Sequence, residues 1–364
     1  MNCSETSLAI SGLDKPHLVM QQGAERNENP SIGLTSWYIN PHRVLELIGP
    51  DEQYRSTIAT KGEVLGKLRL MSETSSRLVA WLRRTSVPSL ETLLLEGNLK
   101  KGQIFSYDGR FFSRGLAGSK SSKDGLVRLR LPLRDFGDSR QLFLEFHRDG
   151  LTTSTARAKL MGQPSVFTLG YIDSITNVAV IARPYVVADL VERLGDVQFR
   201  YRDQLEVPVA DFDAFKRVDF RTTVSKQQLE KLKSVPESRV KAAFAELLGE
   251  AAVQKDWGGE QCDLFTGNLL IDNVKQTGAF LFKGPGKFKP MEISDCGKKA
   301  DQIIRLFDVG ADVSILQHCH TVLPPVRKMM AACARSNLNI RRRYAIIDGY
   351  ATFQILCQTE LMPG

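Results

Sequence analysis

The stretch that decides the reading is Trp257-Gly258-Gly259-Glu260-Gln261-Cys262-Asp263-Leu264-Phe265, followed by Ala279-Phe280-Leu281-Phe282-Lys283-Gly284. It reads as a turn, a short strand carrying an acid, a second strand, and a third strand ending in a lysine. That lysine closes an otherwise apolar run, and desolvating an ammonium is costly without an acidic or phosphate partner. Asp263, one hairpin earlier, is a candidate partner. The pair therefore reads either as a structural ion pair at a sheet edge or as a phosphate-directed site.

Upstream, Ser234-Val235-Pro236-Glu237 has the S-x-x-E form of a capping box and opens a helix. Val240, Ala243, Phe244, Leu247 and Leu248 recur along it at helical spacing. Glu246 and Glu250 share one of its faces. A shorter box, Ser225-Lys226-Gln227-Gln228, precedes it. Downstream the chain alternates. Lys298 to Phe307 reads as a helix and Val313 to Gln317 as a buried strand. Pro324-Pro325 opens another helix, Tyr344 to Asp348 is a strand, and Gly349 turns into a final helix. Helix, three strands, helix, strand, helix, strand, helix describes an α/β sandwich with a mixed central sheet.

This order, with an acid early in the hairpin and a lysine ending the third strand, resembles the restriction-endonuclease-like PD-(D/E)xK nucleases over residues 234 to 350. By position, the resemblance makes Glu246 the helix acid, Asp263 the strand acid and Lys283 the lysine, with Glu260 a second candidate acid. It implies catalysis by Asp263, Lys283, Glu246 and Glu260, with Mg²⁺ or Mn²⁺ held by Asp263, Glu246 and Glu260. Leu281 departs from the pattern, because the family usually carries an acid or glutamine two residues before the lysine. The implied activity is DNA endonuclease, acting as a homodimer or with a partner subunit, in restriction or antiphage defence. The alternative is a non-catalytic nucleic-acid-binding or complex-assembly protein that keeps a decayed nuclease fold.

The remaining chain is read from its residues. The net charge of +8 over 364 residues favours an anionic partner such as DNA. Residues 1 to 35 are polar and read as a loose tail, 36 to 224 as an α+β recognition or partner-binding domain, and 225 to 364 as the nuclease-like domain. Residues 40 to 100 are mainly helical. Ser72 or Thr74 is placed to cap a helix through Leu78, Val79 and Leu82, and Pro88 opens another that Gly97 stops. Ile104 to Phe112 reads as a hairpin turning at Asp108-Gly109. From Val127 to Arg134, Val127, Leu129, Leu131 and Leu133 face one way and Arg128, Arg130 and Arg134 the other. That arginine face is either a phosphate track or the polar side of a half-buried strand. Lys287 and Lys289 in the loop Gly284 to Pro290, and Gln317 at the end of the next buried strand, are further candidate nucleic-acid contacts.

Several functions are excluded. The six cysteines contain no C-x-x-C pair, so neither a zinc framework nor a secreted disulfide scaffold is indicated, and reduced thiols in the cytoplasm are expected. His318-Cys319-His320 has no second ligand pair at zinc spacing. Gly284-Pro285-Gly286-Lys287 lacks the spacing of a nucleotide P-loop, and no G-x-S-x-G occurs. No apolar run approaches the roughly 20 residues of a membrane span, and no membrane partner is expected.

Overall fold

The computed structural model describes residues 31–60, 62, 64–113, 125–194, 197–250 and 261–359. Glu260 and the turn Trp257-Gly258-Gly259 lie outside the described residues, as do residues 1–30. Within the described chain, the fold is mixed α/β, with a curled mixed sheet followed by a second, smaller mixed sheet.

Strand β1 (Ser31–Ile39) begins earlier than expected and takes in residues that the sequence assigned to the tail. Four helices follow: α1 (Pro41–Ile48), α2 (Glu52–Ala59), α3 (Val64–Arg84) and α4 (Leu90–Glu96). Asn40, Asp51 and Ser89 cap α1, α2 and α4 with side-chain oxygens. Gly97, in the left-handed region, stops α4 as expected. Ser72 and Thr74 cap nothing. Both lie inside the continuous α3, where Thr74 is buried and hydrogen-bonds the Tyr54 hydroxyl at 2.8 Å.

The curled sheet contains β2 (Ile104–Arg110), β3 (Phe112–Ser113), β4 (Leu126–Pro132) and β5 (Gln141–His147). After the short helix α5 (Ser154–Lys159) come β6 (Ser165–Ile175), β7 (Ala179–Leu194) and β8 (Val197–Arg200). Its order is β2-β6-β7-β5-β4-β3, with β1 and β8 also on β7. The long β7 carries the curl, because β5 pairs with its first residues and β1 with Val186–Arg193. Asp108-Gly109 does not turn. Both residues stay in β2, opposite Phe167 and Val166 of β6, so sheet pairing overrides the local hairpin signal. The β4 alternation is as expected: Val127, Leu129 and Leu131 are buried, and Arg128 is exposed.

The chain then passes through short 3₁₀ turns to α6 (Lys226–Glu230) and α7 (Glu237–Leu247). The Ser225–Gln228 capping box forms. The Ser234–Glu237 box does not. Pro236 sits at the N-cap, and Ser234 donates instead to the Lys231 carbonyl.

The second sheet is built from β9 (Leu264–Ile271), β10 (Val274–Lys283), β11 (Val313–His318) and β12 (Arg343–Ile347). Helices α8 (Asp301–Asp308), α9 (Pro324–Arg335) and α10 (Gly349–Leu356) intervene and follow. Strand order is β12-β11-β10-β9, with β9–β10 antiparallel and β10, β11 and β12 parallel. The described part of the deciding stretch thus holds two strands rather than three. They meet at Asp272-Asn273, both at positive φ (50° and 62°), the backbone a two-residue hairpin needs.

β10 is buried on both faces, which is why its sequence is a continuous apolar run. Phe280 and Phe282 face a core shared with Phe244 of α7 and with Phe212 and Phe215 of the preceding turns. Their rings lie 5.5–6.2 Å from one another, at centroid separations where edge-on and stacked pairs add to burial. Ala279 and Leu281 face the opposite core, with Met291, Cys296, Ile303, Leu306 and Met330. That core continues without interruption into Leu34, Leu70, Leu78 and Val186 of the first half. Residues 207–215 belong to the second sheet's core, although the sequence boundary fell at 224.

Candidate active site

The carboxyl end of β10 gathers the chemistry-bearing groups at three consecutive residues. Asp263, just before β9, accepts a hydrogen bond from the Phe282 N–H through Oδ2 at 2.6 Å and donates its own N–H to the Phe280 carbonyl at 2.8 Å. Lys283 is the last residue of the strand. Glu237, the first residue of α7, accepts the Gly284 N–H through Oε2 at 2.6 Å. A side chain on residue 284 would strike Glu237: a Cβ there would lie 2.5 Å from the Glu237 Cβ. Glycine is what lets the helix start approach the strand end so closely.

Lys241 lies one helical turn beyond Glu237 on the same face and is 4% exposed. Both act on Asp263. Burial pushes the Asp263 carboxyl above its ordinary value. The Phe282 N–H and the Lys241 ammonium oppose the rise, Glu237 reinforces it, and Lys283 opposes it. Among the described residues, Asp263 and Lys283 form no ion pair within 4.0 Å, so the expected direct pairing is absent, and the two groups couple only at longer range.

The expected helix acid, Glu246, is not part of this cluster. It is exposed near the far end of α7, roughly 13 Å along the axis from Glu237 by helical rise. The α7 acid that stands at the strand end is Glu237. Its S-x-x-E context disguised it, since a capping glutamate would have been consumed locally. The missed signal was Glu237 and Lys241 four residues apart, with Lys241 beside Val240, Ala243 and Phe244 in the core.

The candidate nucleic-acid contacts fall into three settings. Gln317 is 1% exposed and donates to the Thr352 hydroxyl at 3.0 Å, so it is a core amide out of reach of a phosphate backbone. Lys287 is exposed and Lys289 partly so. Lys287 sits 3.4 Å from Asp295, and Lys289 sits 3.3 Å from Asp295 and 3.4 Å from Glu292. Burial alone would raise Asp295, but the Glu292 N–H and these lysines outweigh it and bring the carboxyl below its usual range. Arg128 pairs with Glu145 at 2.6 Å, and the Arg130 guanidinium lies 5.7 Å from the Phe112 ring centre. Neither approaches Lys283 through a described contact.

His318, opposite Lys283 on the parallel β11, is buried with both ring nitrogens against carbonyls: Nδ1 3.2 Å from Lys283 O, and Nε2 2.9 Å from Lys289 O. It ties the strand end to the basic loop. Leu281 is 6% exposed in the core, so its side chain contributes nothing polar. No group of three or more His, Cys, Asp or Glu side chains arranged to hold a metal occurs among the described residues. Glu237 and Asp263 remain as two carboxylates, each with a second oxygen that accepts no hydrogen bond from the described residues.

Comparison of the chain with family models, curated proteins and solved structures finds no match. No helix among the described residues is long and apolar enough to cross a membrane.

Proposed function

We propose that the chain is a metal-dependent endonuclease that hydrolyses DNA phosphodiester bonds at the carboxyl end of β10. One observation carries this reading: Asp263, Lys283 and Glu237 are delivered to three successive positions of one strand end, the two carboxylates by hydrogen bonds to the flanking N–H groups. Asp263 and Glu237 would hold Mg²⁺ or Mn²⁺. Two hard carboxylate oxygens fit an ion that keeps several waters and takes further ligands from a phosphate. The bound ion supplies Lewis-acid stabilisation of phosphoryl charge. Lys283 sets a point charge beside the phosphate. Lys241 opposes the rise that burial imposes on the Asp263 carboxyl, and the loop bearing Lys287 and Lys289 would add positive charge for an approaching backbone. Glu237 replaces Glu246 in the expected acid set, and the net charge of +8 favours a polyanionic substrate.

The test is cleavage of supercoiled, linear and single-stranded DNA in Mg²⁺, Mn²⁺ or EDTA, comparing wild type with Asp263→Asn, Lys283→Ala and Glu237→Gln. Metal-dependent cutting lost in the first two variants supports the reading. Undiminished cutting by those variants overturns it. A second reading is favoured by Leu281 standing where an acid is expected: a DNA-binding protein without hydrolytic activity. Salt-sensitive binding with equal affinity in EDTA, and no cutting of any substrate, would support that alternative.

A further inference from the structure

The outward face of α3 begins with apolar side chains where a surface helix carries polar ones. Val64 is 78% exposed, Leu65 77% and Leu68 56%. Val64 and Leu68 are one helical turn apart and Leu65 lies between them in phase, so the three share one face of the first two turns. Gly66 and Leu70 are buried and turn the opposite side of the helix to the core. Further along, the outward positions pass to the exposed Ser72 and Ser76, which confines the apolar patch to the helix start. Single exposed apolar residues need no explanation, but a contiguous patch marks an interaction surface.

Cations flank the patch. By helical phase Lys67 lies on one side of it and Arg69 on the other. Both are exposed, and neither makes an ion pair or hydrogen bond among the described residues. The one acid of α3, Glu73, is taken by Arg77. Lys67 also borders a cavity of about 430 Å³, to which Ile39, Pro41, Leu70, Met71 and Leu151 give apolar walls.

These features select among partners. A second copy meeting the patch about a two-fold axis would set Lys67 and Arg69 against their own kind, with no free acid on α3 to answer them. A nucleic-acid backbone would satisfy the cations but leave the three apolar side chains against phosphate and water. An anionic bilayer answers both, because headgroup phosphates meet the cations and the apolar side chains enter the acyl boundary. The neighbouring cavity adds apolar space on the same side.

We propose that the start of α3 docks the protein on an anionic lipid surface, with Val64, Leu65 and Leu68 in the acyl boundary and Lys67 and Arg69 among the headgroups. No spanning helix is required, because an amphipathic segment of this kind lies in the interface. The proposal is independent of the cleavage reading, because its readout is vesicle binding.

Sedimentation of the full chain with large unilamellar vesicles tests it, with phosphatidylcholine alone or mixed with phosphatidylglycerol. The wild type is expected to sediment with the mixed vesicles, and less with phosphatidylcholine alone or at raised salt. Leu65→Ser combined with Leu68→Ser is expected to weaken binding about tenfold or more. Lys67→Ala combined with Arg69→Ala is expected to weaken it about tenfold or more on the anionic vesicles. All four positions are exposed, so thermal unfolding of both variants should match the wild type. Val274→Ser, which removes an exposed apolar side chain from the second sheet, should bind as the wild type does. Failure of the wild type to sediment with the mixed vesicles, or undiminished sedimentation of the leucine variant, overturns the proposal. If the wild type ignores vesicles and the leucine variant instead loses duplex-DNA affinity or dissociates a dimer, the surface belongs to nucleic acid or to a second copy, and the proposal is equally overturned.

Discussion

Asp263 and Glu91 are both carboxylates that burial drives toward the protonated form, yet their surroundings differ. Asp263 stands at an open strand end. It accepts the Phe282 N–H, feels two lysines and keeps partial contact with solvent. Glu91 is sealed between the sheets, with one oxygen 3.9 Å from a guanidinium and the other without a partner. The first arrangement leaves one carboxylate face open to solvent, where the proposed cation and phosphate would arrive. The second is closed to solvent, so its carboxyl belongs to the packing between the two sheets. Burial alone does not say what a carboxylate is for; whether a face stays open to solvent separates these two.

The largest expected effect that could break this comparison is on cleavage. Asp263→Asn and Lys283→Ala should each lower the rate by roughly 10³-fold, the scale of losing a charge-stabilising group at a phosphoryl centre. A plasmid-nicking time course at saturating metal checks this, and a drop under about tenfold would return Asp263 to a purely structural role.

Next is Arg335, 8% exposed and shared by Glu91 and Asp108. Arg335→Met should destabilise the fold by about 3 kcal/mol, because removing one partner leaves buried charge uncompensated. Urea denaturation measures it. A loss under about 1 kcal/mol would mean that the junction network is already hydrated.

Leu281→Glu supplies the acid that the nuclease resemblance expects at this position but places it in a closed core. Without metal it should cost about 2 kcal/mol. If its carboxylate can swing to the strand end, Mg²⁺ should recover part of the loss, seen as a metal-dependent rise in melting temperature. No recovery would show that the backbone there directs residue 281 inward whatever its side chain.

The smallest effect is on pH and stability at Asp263. Its folded-state value is raised, so the native protein holds the proton to higher pH than the unfolded chain does. Stability is therefore greater below the ordinary aspartate value and falls as pH climbs to the raised one. Asp263→Asn should remove this slope and raise the neutral-pH melting temperature by about 1–2 °C. Differential scanning calorimetry across that window decides it, and a variant less stable at neutral pH would contradict the assigned direction.

Much of the second half was legible in advance. The β10 and β11 runs, the Pro324-Pro325 and Gly349 helix starts and the Ser225 capping box are set by side-chain period and by hydrogen bonds within a few residues. Where local signals competed with sheet pairing they lost, as at Asp108-Gly109, which β6 holds extended. Glu246 was the natural acid by position on its helix, but helix phase and length put Glu237 at the strand end.

By itself the sequence determined an α/β second half, a lysine closing an apolar strand and an acid one hairpin away, because period and turn chemistry act over short stretches of chain. Only the tertiary structure decided which helix acid reaches that strand end, and that Arg335 packs beside Glu91. Those contacts join residues 47 positions apart at Gly284–Glu237 and 227 apart at Arg335–Asp108. Such pairings depend on how two sheets share one core, and no local pattern encodes that packing.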